Sequence, residues 1–301
     1  MQHIVAVEQF EREYILSLFE EADRMRSVRA SQGLLRDRIL ATLFYEPSTR
    51  TRLSFESAML RLGGQVVSTE NAREFSSAIK GETVEDTVRI VAGYADGIVI
   101  RHHEQGAAAR AAAASPVPII NGGDGPGEHP TQALLDFYTI QNELGTLDGL
   151  KVALVGDLRF GRAVRSLALM FRLTRGSELV FVSPDAVPMG DDVRDALTDA
   201  GVSFRDEPDL NTALRDVDVV YQTRIQRERF ATPEEYKAAQ GIYVIDLESL
   251  GLLGEKSIIM HPLPRVDEID PRVDDDPRAA YFRQAENGVF IRMALLNQLL
   301  G

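Results

Sequence analysis

Residues 44–52, Phe-Tyr-Glu-Pro-Ser-Thr-Arg-Thr-Arg, bring hydroxyl and guanidinium side chains together directly after an apolar run. Ser48 or Thr49 can cap a helix that begins here, which leaves backbone N–H groups free in its first turn. Those groups, the hydroxyls and the guanidinium groups of Arg50 and Arg52 then converge on one point. Such a stretch, termed here the phosphate motif, favours phosphate, because charged donors and a helix N-terminus both attract anions. The alternative is a capped helix with surface arginines.

A second glycine-rich segment, residues 156–161 (Gly-Asp-Leu-Arg-Phe-Gly), lies between a predicted strand and a predicted helix. It resembles a dinucleotide fingerprint, but Leu158 replaces the glycine that lets the backbone approach a pyrophosphate. It also falls short of a P-loop, since Arg162 and Ala163 replace the required Lys and Ser/Thr. Two interpretations are left. The segment is a tight turn, or Arg162 beside a helix N-terminus binds a carboxylate.

The elements that must position these residues alternate along the chain. Short β-branched runs predict strands at 38–44, 97–101, 117–120, 152–155, 179–182, 217–221, 243–245 and 258–260. Amphipathic or helix-favouring segments predict helices at 8–29, 52–62, 84–94, 107–114, 131–144, 162–173 and 288–300. Near-continuous apolar strands separated by helices are typical of parallel sheets covered on both faces. We therefore predict an α/β fold with doubly wound parallel sheets.

The length of 301 residues suggests two domains. A break at 121–130 contains four glycines and two prolines, and a fresh strand follows it. We predict a first domain at 1–130, on which a C-terminal helix at 287–301 packs back, and a second domain at 131–286.

The composition restricts the classes of function. Lys and Arg number 33 against 46 Asp and Glu, so the net charge of −13 argues against a protein that coats nucleic acid or an anionic membrane. There is no Cys, which excludes disulfides, thiolate metal sites and cysteine nucleophiles. No apolar run approaches the ~18 residues of a membrane span. The N-terminus lacks the features of a signal peptide, so we expect a cytoplasmic enzyme.

Residues 44–56 resemble the carbamoyl-phosphate loop of the transcarbamoylases, and further stretches are similar to the aspartate branch of that family. Those stretches are 76–83, 100–102, 121–136 with His-Pro-Thr-Gln at 129–132, 155–167, 223–226, 261–265 and 276–296. The phosphate motif and the His-Pro-x-Gln element are common to all transcarbamoylases. Lys-Gly-Glu-Thr at 80–83, Thr-Arg-Ile-Gln at 223–226 and His-Pro-Leu-Pro-Arg at 261–265 are typical of the aspartate branch.

The resemblance implies an activity and assigns one substrate to each domain. The family transfers the carbamoyl group of carbamoyl phosphate to the amine of L-aspartate, an early step of de novo pyrimidine biosynthesis. Residues 1–130 with the last helix would bind carbamoyl phosphate, and 131–286 would bind aspartate. The resemblance further implies a homotrimer with shared active sites and no metal or organic cofactor. It leaves open whether a regulatory chain or a dihydroorotase binds as a partner.

The resemblance also assigns the carbamoyl-phosphate contacts. They fall on Ser48, Thr49, Arg50, Thr51, Ser76, Arg101, His129, Gln132, Pro262 and Leu263. Within this set, Thr51, Arg101 and His129 would polarise the carbonyl oxygen. The amide of Gln132 and the backbone carbonyls of Pro262 and Leu263 would hold the carbamoyl NH2 group.

Aspartate contacts would come from Lys80, Arg162, Arg224 and Gln226. Ser76 and Lys80 would enter from the neighbouring subunit, with Lys80 also counted as catalytic. Physical reasoning supports a local basic site, because the two substrates together carry about four negative charges that an acidic chain would repel. His261, which precedes Pro262, is expected to support its loop and not to react.

Two alternatives are weighed against this function. An ornithine-type transcarbamoylase would carry Cys in the His-x-Leu-Pro element, whereas this chain has Pro262 there, and Arg224 and Gln226 suit a carboxylate. A catalytically silent assembly subunit would have lost Arg50, Thr51, Arg101 or His129, and all four are present.

Overall fold

The structure is a computed structural model that describes residues 2–29, 32–70, 81–225, 232, 236 and 241–301. The chain forms two compact units. The first contains Met1–Leu135 and Glu286–Gly301, and the second contains Asp136–Ala285. Three residues that the sequence assigns to the site, Ser76, Lys80 and Gln226, lie outside the described residues.

The first unit is built on strands β1 (Ile39–Phe44), β2 (Gln65–Glu70), β3 (Gly97–His102) and β4 (Ile119–Asp124). Its helices are α1 (Arg12–Met25), α2 (Thr49–Arg61), α3 (Val84–Val91) and α4 (Ala107–Ala114). All strand pairs are parallel, and the sheet order is β2-β1-β3-β4. The strands β1, β3 and β4 are almost wholly buried, as expected for a sheet covered on both faces.

The strand order of the first unit reverses between β1 and β3. In doubly wound sheets, ligands bind outside the carboxyl ends of the strands at such a reversal. The phosphate motif follows β1 directly, and Arg101 lies near the end of β3. The backbone N–H of Tyr45 donates to the carbonyl of Arg101 at 2.8 Å, which joins the two chain segments at this edge.

The second unit contains strands β5 (Lys151–Val155), β6 (Glu178–Val182), β7 (Ser203–Asp206), β8 (Val219–Gln222) and β9 (Ile258–Met260). They form a parallel sheet of order β7-β6-β5-β8-β9, which reverses between β5 and β8. The helices that follow the first unit's four are α5 (Pro130–Leu144), α6 (Arg162–Met170), α7 (Asp191–Asp199), α8 (Leu210–Leu214), α9 (Leu247–Leu250) and α10 (Tyr281–Leu300). The prediction of two doubly wound parallel-sheet units is confirmed.

The last helix, α10, begins in the second unit and ends in the first. Within the first unit, Arg26 donates to the side-chain oxygen of Asn287 at 2.8 Å. The amide of Asn297 donates to Glu21 at 2.9 Å. The guanidinium of Arg292 lies 4.9 Å from the ring centre of Phe55 on α2. The predicted packing of the C-terminal helix on the first unit is therefore confirmed.

Several sequence-based assignments of elements differ from the structure. The strands β2 and β7 were not predicted, because both lie at sheet edges and neither contains a buried residue. Residues 243–245 are not a strand, since only Ile245 forms an isolated bridge, to Ile269. The predicted helix at 8–29 is shorter: a 3-10 turn at Val7–Gln9 precedes α1, which ends at Met25. No described helix is both long and apolar enough to cross a bilayer.

Candidate active site

The phosphate motif forms the first turn of α2. Ser48 occupies the N-cap position with extended backbone (φ −160°, ψ 97°), and its carbonyl accepts the N–H of Arg52 at 3.1 Å. The Ser48 hydroxyl makes no capping hydrogen bond, contrary to the expectation that it or Thr49 would cap the helix. First-turn amides of a helix have no intrahelical acceptor. The hydroxyl and these amides can therefore bind an anion.

The two arginines of the motif differ in their surroundings. Arg52 contacts Glu70 at 3.0 Å and donates to the Ser68 hydroxyl at 3.2 Å. Among the described residues no carboxylate pairs with Arg50, and desolvation lowers the pKa of its guanidinium without any opposing carboxylate. Arg50 and Arg52 are two positions apart in the helix, which separates them by roughly 200° around its axis, so their side chains leave the helix on different sides. The expectation that both guanidinium groups converge was wrong, and Arg50 is the one suited to an anion.

Arg101 is aimed by an irregularity between β3 and β4. The register changes from Ile100 opposite Asn121 to His102 opposite Asp124, so Gly122 and Gly123 face one residue. Such a bulge redirects a side chain, and Gly123 has φ 113°, which favours glycine. Nη1 of Arg101 donates to the carbonyl of Gly122 at 3.1 Å.

A carboxylate also holds Arg101. Its Nη2 lies 3.1 Å from Glu46 within the phosphate motif, and only 11% of the Arg101 side chain is exposed. The ion pair therefore fixes a nearly buried guanidinium beside the end of β1. Sequence reasoning had not assigned Glu46 this role, because the pairing depends on the neighbouring positions of β1 and β3.

Thr51 and His129 come together in the first unit. The hydroxyl of Thr51 lies 3.4 Å from Nε2 of His129, and the two residues are 6% and 5% exposed. Gly122 is also close, since a Cβ there would lie 3.5 Å from Cγ2 of Thr51. Thr51 thus lies beside both His129 and Gly122, and Gly122 is also the residue whose carbonyl accepts from Arg101. That the three side chains act together stays a prediction.

The loop before His129 is braced from several sides. The carboxylate of Glu128 accepts the N–H of Val7 at 2.6 Å, while the N–H of Glu128 donates to Asp124 at 2.8 Å. The second carboxylate oxygen of Asp124 accepts the N–H of Gly106 at 2.8 Å. Helix α5 begins after this loop, and its Gln132 donates its N–H to the carbonyl of His129 at 3.0 Å. Gln132 is therefore in the first turn after His129.

In the second unit, Arg162 and Arg224 lie at the carboxyl ends of neighbouring strands. Arg162 is the first residue of α6, just after the loop that follows β5, and Arg224 follows β8. The N–H of Thr223 donates to Val155 at 2.8 Å, which joins the two segments. Gly156 has φ 111°, and a Cβ there would lie 2.3 Å from the carbonyl oxygen of Thr223. The glycine-rich segment is thus a tight turn that supports an Arg-bearing helix start.

Pro262 and Leu263 follow β9 and are half-buried. Leu263 has φ 52°, a left-handed conformation that is uncommon for leucine. Across the described part of the chain, neither carbonyl accepts a hydrogen bond. Two backbone acceptors are thus available for an NH2 group, as the resemblance implies.

Some positions were not found from the sequence. Glu268, which is 6% exposed and contacts His261 at 2.7 Å, gave no signal, because burial of an acidic residue cannot be inferred from its type. The Gly-Gly pair at 122–123 did give a signal in the sequence, since glycine inside a strand suggests a bulge. Within the described ranges, no group of His, Asp or Glu could hold a metal ion.

Family models match both units. Residues 2–142 match the model "Aspartate/ornithine carbamoyltransferase, carbamoyl-P binding domain". Residues 148–299 match "Aspartate/ornithine carbamoyltransferase, Asp/Orn binding domain". The chain belongs to the aspartate/ornithine carbamoyltransferase family. Among curated members of the family, the chloroplastic aspartate carbamoyltransferase of Arabidopsis thaliana is 58% identical over 304 residues, which cover 100% of this chain and 78% of the relative.

Solved structures of family members also match the whole chain. The catalytic subunit of Methanocaldococcus jannaschii aspartate transcarbamoylase has a TM-score of 0.91 and 48% identity, covering 100% of this chain and 98% of that one. The Trypanosoma cruzi aspartate transcarbamoylase in complex with N-(phosphonacetyl)-L-aspartic acid has a TM-score of 0.92 and 43% identity, covering 100% and 96%. The likeness therefore extends over both units.

The plant relatives correct one expectation. The proteins of Arabidopsis thaliana, Oryza sativa and Pisum sativum are named as chloroplastic, so the cytoplasmic location predicted from the sequence was wrong. The prediction relied on the first residues of the chain. Those residues alone do not determine the compartment.

Proposed function

We propose that this chain transfers the carbamoyl group of carbamoyl phosphate to the amine of L-aspartate, giving N-carbamoyl-L-aspartate and phosphate in de novo pyrimidine biosynthesis. The observation that carries the proposal is that Thr51 lies beside His129 and Gly122, and that Arg101 donates to the carbonyl of the same Gly122. Arg50, which precedes Thr51 in the chain, pairs with no carboxylate among the described residues. The Trypanosoma cruzi relative has been solved with carbamoyl phosphate and with carbamoyl aspartate and phosphate. Its ligands support the same substrates here.

The first unit supplies the contacts for the leaving group. Arg50, the hydroxyls of Ser48 and Thr49 and the first-turn amides of α2 bind the phosphate. Phosphate accumulates charge as it leaves, and the guanidinium of Arg50, which has no carboxylate partner among the described residues, stabilises that charge. Arg101, which is already partly engaged by Glu46, reaches both phosphate and carbonyl oxygen.

The chemical step is an attack of the aspartate amine on the carbamoyl carbon. A tetrahedral intermediate forms, and its oxygen carries a negative charge. Donors from Thr51, Arg101 and His129 stabilise this oxyanion, the largest contribution expected of such a site. The C–O bond to phosphate then breaks, and the departing phosphate accepts the proton that the amine nitrogen loses. The amide of Gln132 and the carbonyls of Pro262 and Leu263 orient the carbamoyl NH2 group.

The second unit supplies the contacts for aspartate. Arg162 and Arg224, which lie at the carboxyl ends of β5 and β8, bind its two carboxylates together with Gln226. Arginine suits this role because its planar fork matches a carboxylate. Ornithine has no second carboxylate, so the same pair of arginines would select against it.

The proposed assembly is a homotrimer in which Ser76 and Lys80 of one chain complete the site of its neighbour. Such sharing requires a closed ring with a head-to-tail interface. Lys80→Ala and Arg50→Ala would each be inactive, but a trimer that mixes them has one junction with both residues intact. Random reassembly of equal amounts puts about three quarters of trimers in the mixed class, so about one quarter of sites should recover. Hybrids confirmed by native mass measurement that stay inactive would exclude sharing.

The proposed function itself is tested with the purified chain, carbamoyl phosphate and either aspartate or ornithine. Phosphate release and the carbamoylated product are both measured. Product with aspartate alone supports the proposal, and product with ornithine alone replaces it. An absence of both would identify a silent subunit, and Arg50→Ala serves as the inactive control.

A further inference from the structure

The imidazole of His261 is engaged at both of its nitrogens. The N–H of Leu263 donates to Nδ1 at 2.7 Å, and Nε2 lies 2.7 Å from Oε1 of Glu268. His261 is 2% exposed and Glu268 is 6% exposed. Both contacts are thus shielded from water.

These contacts fix the protonation of the ring. A backbone N–H is always a donor, so Nδ1 must carry a lone pair to accept from Leu263. The ring proton is then on Nε2, where it is donated to Glu268. His261 is therefore a neutral imidazole in a single tautomer, and a proton on Nδ1 would oppose the Leu263 N–H.

Glu268 is held as a carboxylate. Its Oε2 accepts the N–H of Val266 at 3.1 Å and that of Asp267 at 3.2 Å, in addition to the His261 contact at Oε1. Burial raises the pKa of this carboxyl, but the hydrogen bond from His261 and the backbone donors lower it by more, so the net shift is downward. Three converging donors require an acceptor on both oxygens.

The backbone of His261 is fixed by a second chain of contacts. Its N–H donates to Oε1 of Gln284 at 2.9 Å, and the Gln284 amide donates to Asp136 at 2.7 Å. The hydroxyl of Tyr221 donates to the other oxygen of Asp136 at 2.7 Å. Residues from α5, β8 and α10 therefore hold the ring in position.

The contact of the His261 ring with the Leu263 N–H fixes the backbone of Pro262 and Leu263. A side-chain acceptor that binds the N–H two residues later forms a turn like that of Asn or Asp, with Pro262 at the intervening position. Pro262 has no N–H and the N–H of Leu263 is taken, so only carbonyls of these two residues are left for a ligand. Leucine disfavours the left-handed backbone seen at Leu263, so the turn needs an anchor.

We propose that His261 is a positioning residue, which holds the carbonyls of Pro262 and Leu263 toward the carbamoyl NH2 by accepting the Leu263 N–H at Nδ1. The inference rests on the proposed function, since the carbamoyl group is the ligand of those carbonyls. Glu268 acts indirectly, because it keeps the proton of His261 on Nε2 and so leaves Nδ1 free of a proton.

Two substitutions separate the two nitrogens. In His261→Asn, the side-chain oxygen takes the place of Nδ1 and can accept from Leu263, but nothing donates to Glu268. In His261→Gln, the amide nitrogen takes the place of Nε2 and can donate to Glu268, but the Leu263 N–H loses its acceptor. A purely structural role predicts that Gln, which fills more space and keeps Glu268 paired, is the better replacement for both stability and rate.

If His261 is a positioning residue, the variant that is at least as stable should be the less active one. His261→Gln should be at least as stable as His261→Asn but lower in kcat/KM for carbamoyl phosphate by about tenfold to a hundredfold, the loss typical of a misplaced substrate. His261→Asn should stay within about threefold of wild type. Affinity for inorganic phosphate, which has no carbamoyl NH2, should be the same in both variants. Equal kcat/KM for the two variants, or a lower value for Asn, would overturn the proposal.

A readout independent of activity separates this inference from the proposed function. Hydrogen exchange of the Leu263 amide, resolved by mass spectrometry, should be slow in wild type and His261→Asn and faster in His261→Gln. If wild type transfers no carbamoyl group, the proposed function fails, and the exchange pattern still decides whether His261 anchors the turn. Unchanged exchange in His261→Gln would show that it does not.

Discussion

Nη1 of Arg101 and the carbonyl of Gly122 are joined by a hydrogen bond of 3.1 Å at the point where β3 and β4 lose register. The next residue, Gly123, has φ 113°, which an L side chain rarely adopts. The direction of a proposed catalytic arginine therefore depends on two residues without side chains.

Replacing Gly123 should damage the site as well as stability. Gly123→Ala is expected to lower the free energy of unfolding by about 1–2 kcal/mol or more and to lower kcat/KM, because the carbonyl that holds Arg101 shifts. Gly145→Ala is the matched control, with φ 74° and no atom within 4 Å of the new Cβ. It should lose stability with kcat/KM unchanged. Urea unfolding and steady-state kinetics measure both, and equal kinetic losses would contradict the role of the bulge.

Replacing the two arginines of the phosphate motif should affect phosphate affinity to different extents. Arg50→Ala removes a cation that pairs with no described carboxylate, and it should weaken phosphate binding by about 1.5–3 kcal/mol, the value of a charged hydrogen bond. Arg52→Ala breaks the contacts with Glu56 and Glu70, a change that costs about 0–1 kcal/mol of stability. It should leave phosphate affinity nearly unaltered. Calorimetric titration with inorganic phosphate tests this, and a similar loss in both variants would count against the assignment of Arg50.

Aspartate recognition should depend on Arg224 more than carbamoyl phosphate does. Arg224→Ala is expected to cost about 1.5–3 kcal/mol in aspartate binding, because its proposed partner is a carboxylate. Arg205→Ala is the control, since Arg205 on β7 contacts Glu178 at 3.2 Å and Glu207 at 3.3 Å. That variant should retain both affinities. If Arg224→Ala weakened the two substrates equally, the carboxylate contact would be wrong.

Glu268 makes stability depend on acid pH. Its folded pKa is lowered below the usual 4.5, so the carboxylate contributes stability above about pH 4.5 that is lost as pH falls through the lowered value. In Glu268→Gln, the amide NH2 group faces at least one of the three N–H donors, so neither can donate to the other. The substitution should lower the free energy of unfolding by about 1–3 kcal/mol at neutral pH. The difference from wild type should shrink below pH 4.5. Urea unfolding across this range measures it, and a constant difference would contradict the charged state of Glu268.

The sequence predicted the interior of both sheets because buried parallel strands are continuously apolar. It missed β2 and β7, whose polar, exposed residues carry no such pattern. The apolar run at 243–245 was misassigned because burial without strand pairing gives the same residue types: the Tyr243 carbonyl accepts from Gln222 at 3.2 Å, outside any ladder. Local sequence cannot distinguish these cases, since the partner lies far along the chain.

Within the site, the residue types and their order were predictable, but their partners were not. Arg50 and Arg52 look equivalent in sequence, and only the helix geometry and the positions of Glu56 and Glu70 distinguish them. The contact of Thr51 with His129 spans 78 positions, and that of His261 with Glu268 requires a turned loop. The assignments of Ser76, Lys80 and Gln226 stay predictions.

The most direct test of the account follows the carbamoyl group itself. The purified chain is incubated with carbamoyl phosphate labelled with carbon-13 at the carbonyl and with equal amounts of aspartate and ornithine, and the products are resolved by NMR. We predict label in N-carbamoyl-L-aspartate, with one phosphate released for each transfer, and no such product from Arg50→Ala. Label in carbamoylated ornithine, or label that stays in carbamoyl phosphate and its hydrolysis products, would contradict it.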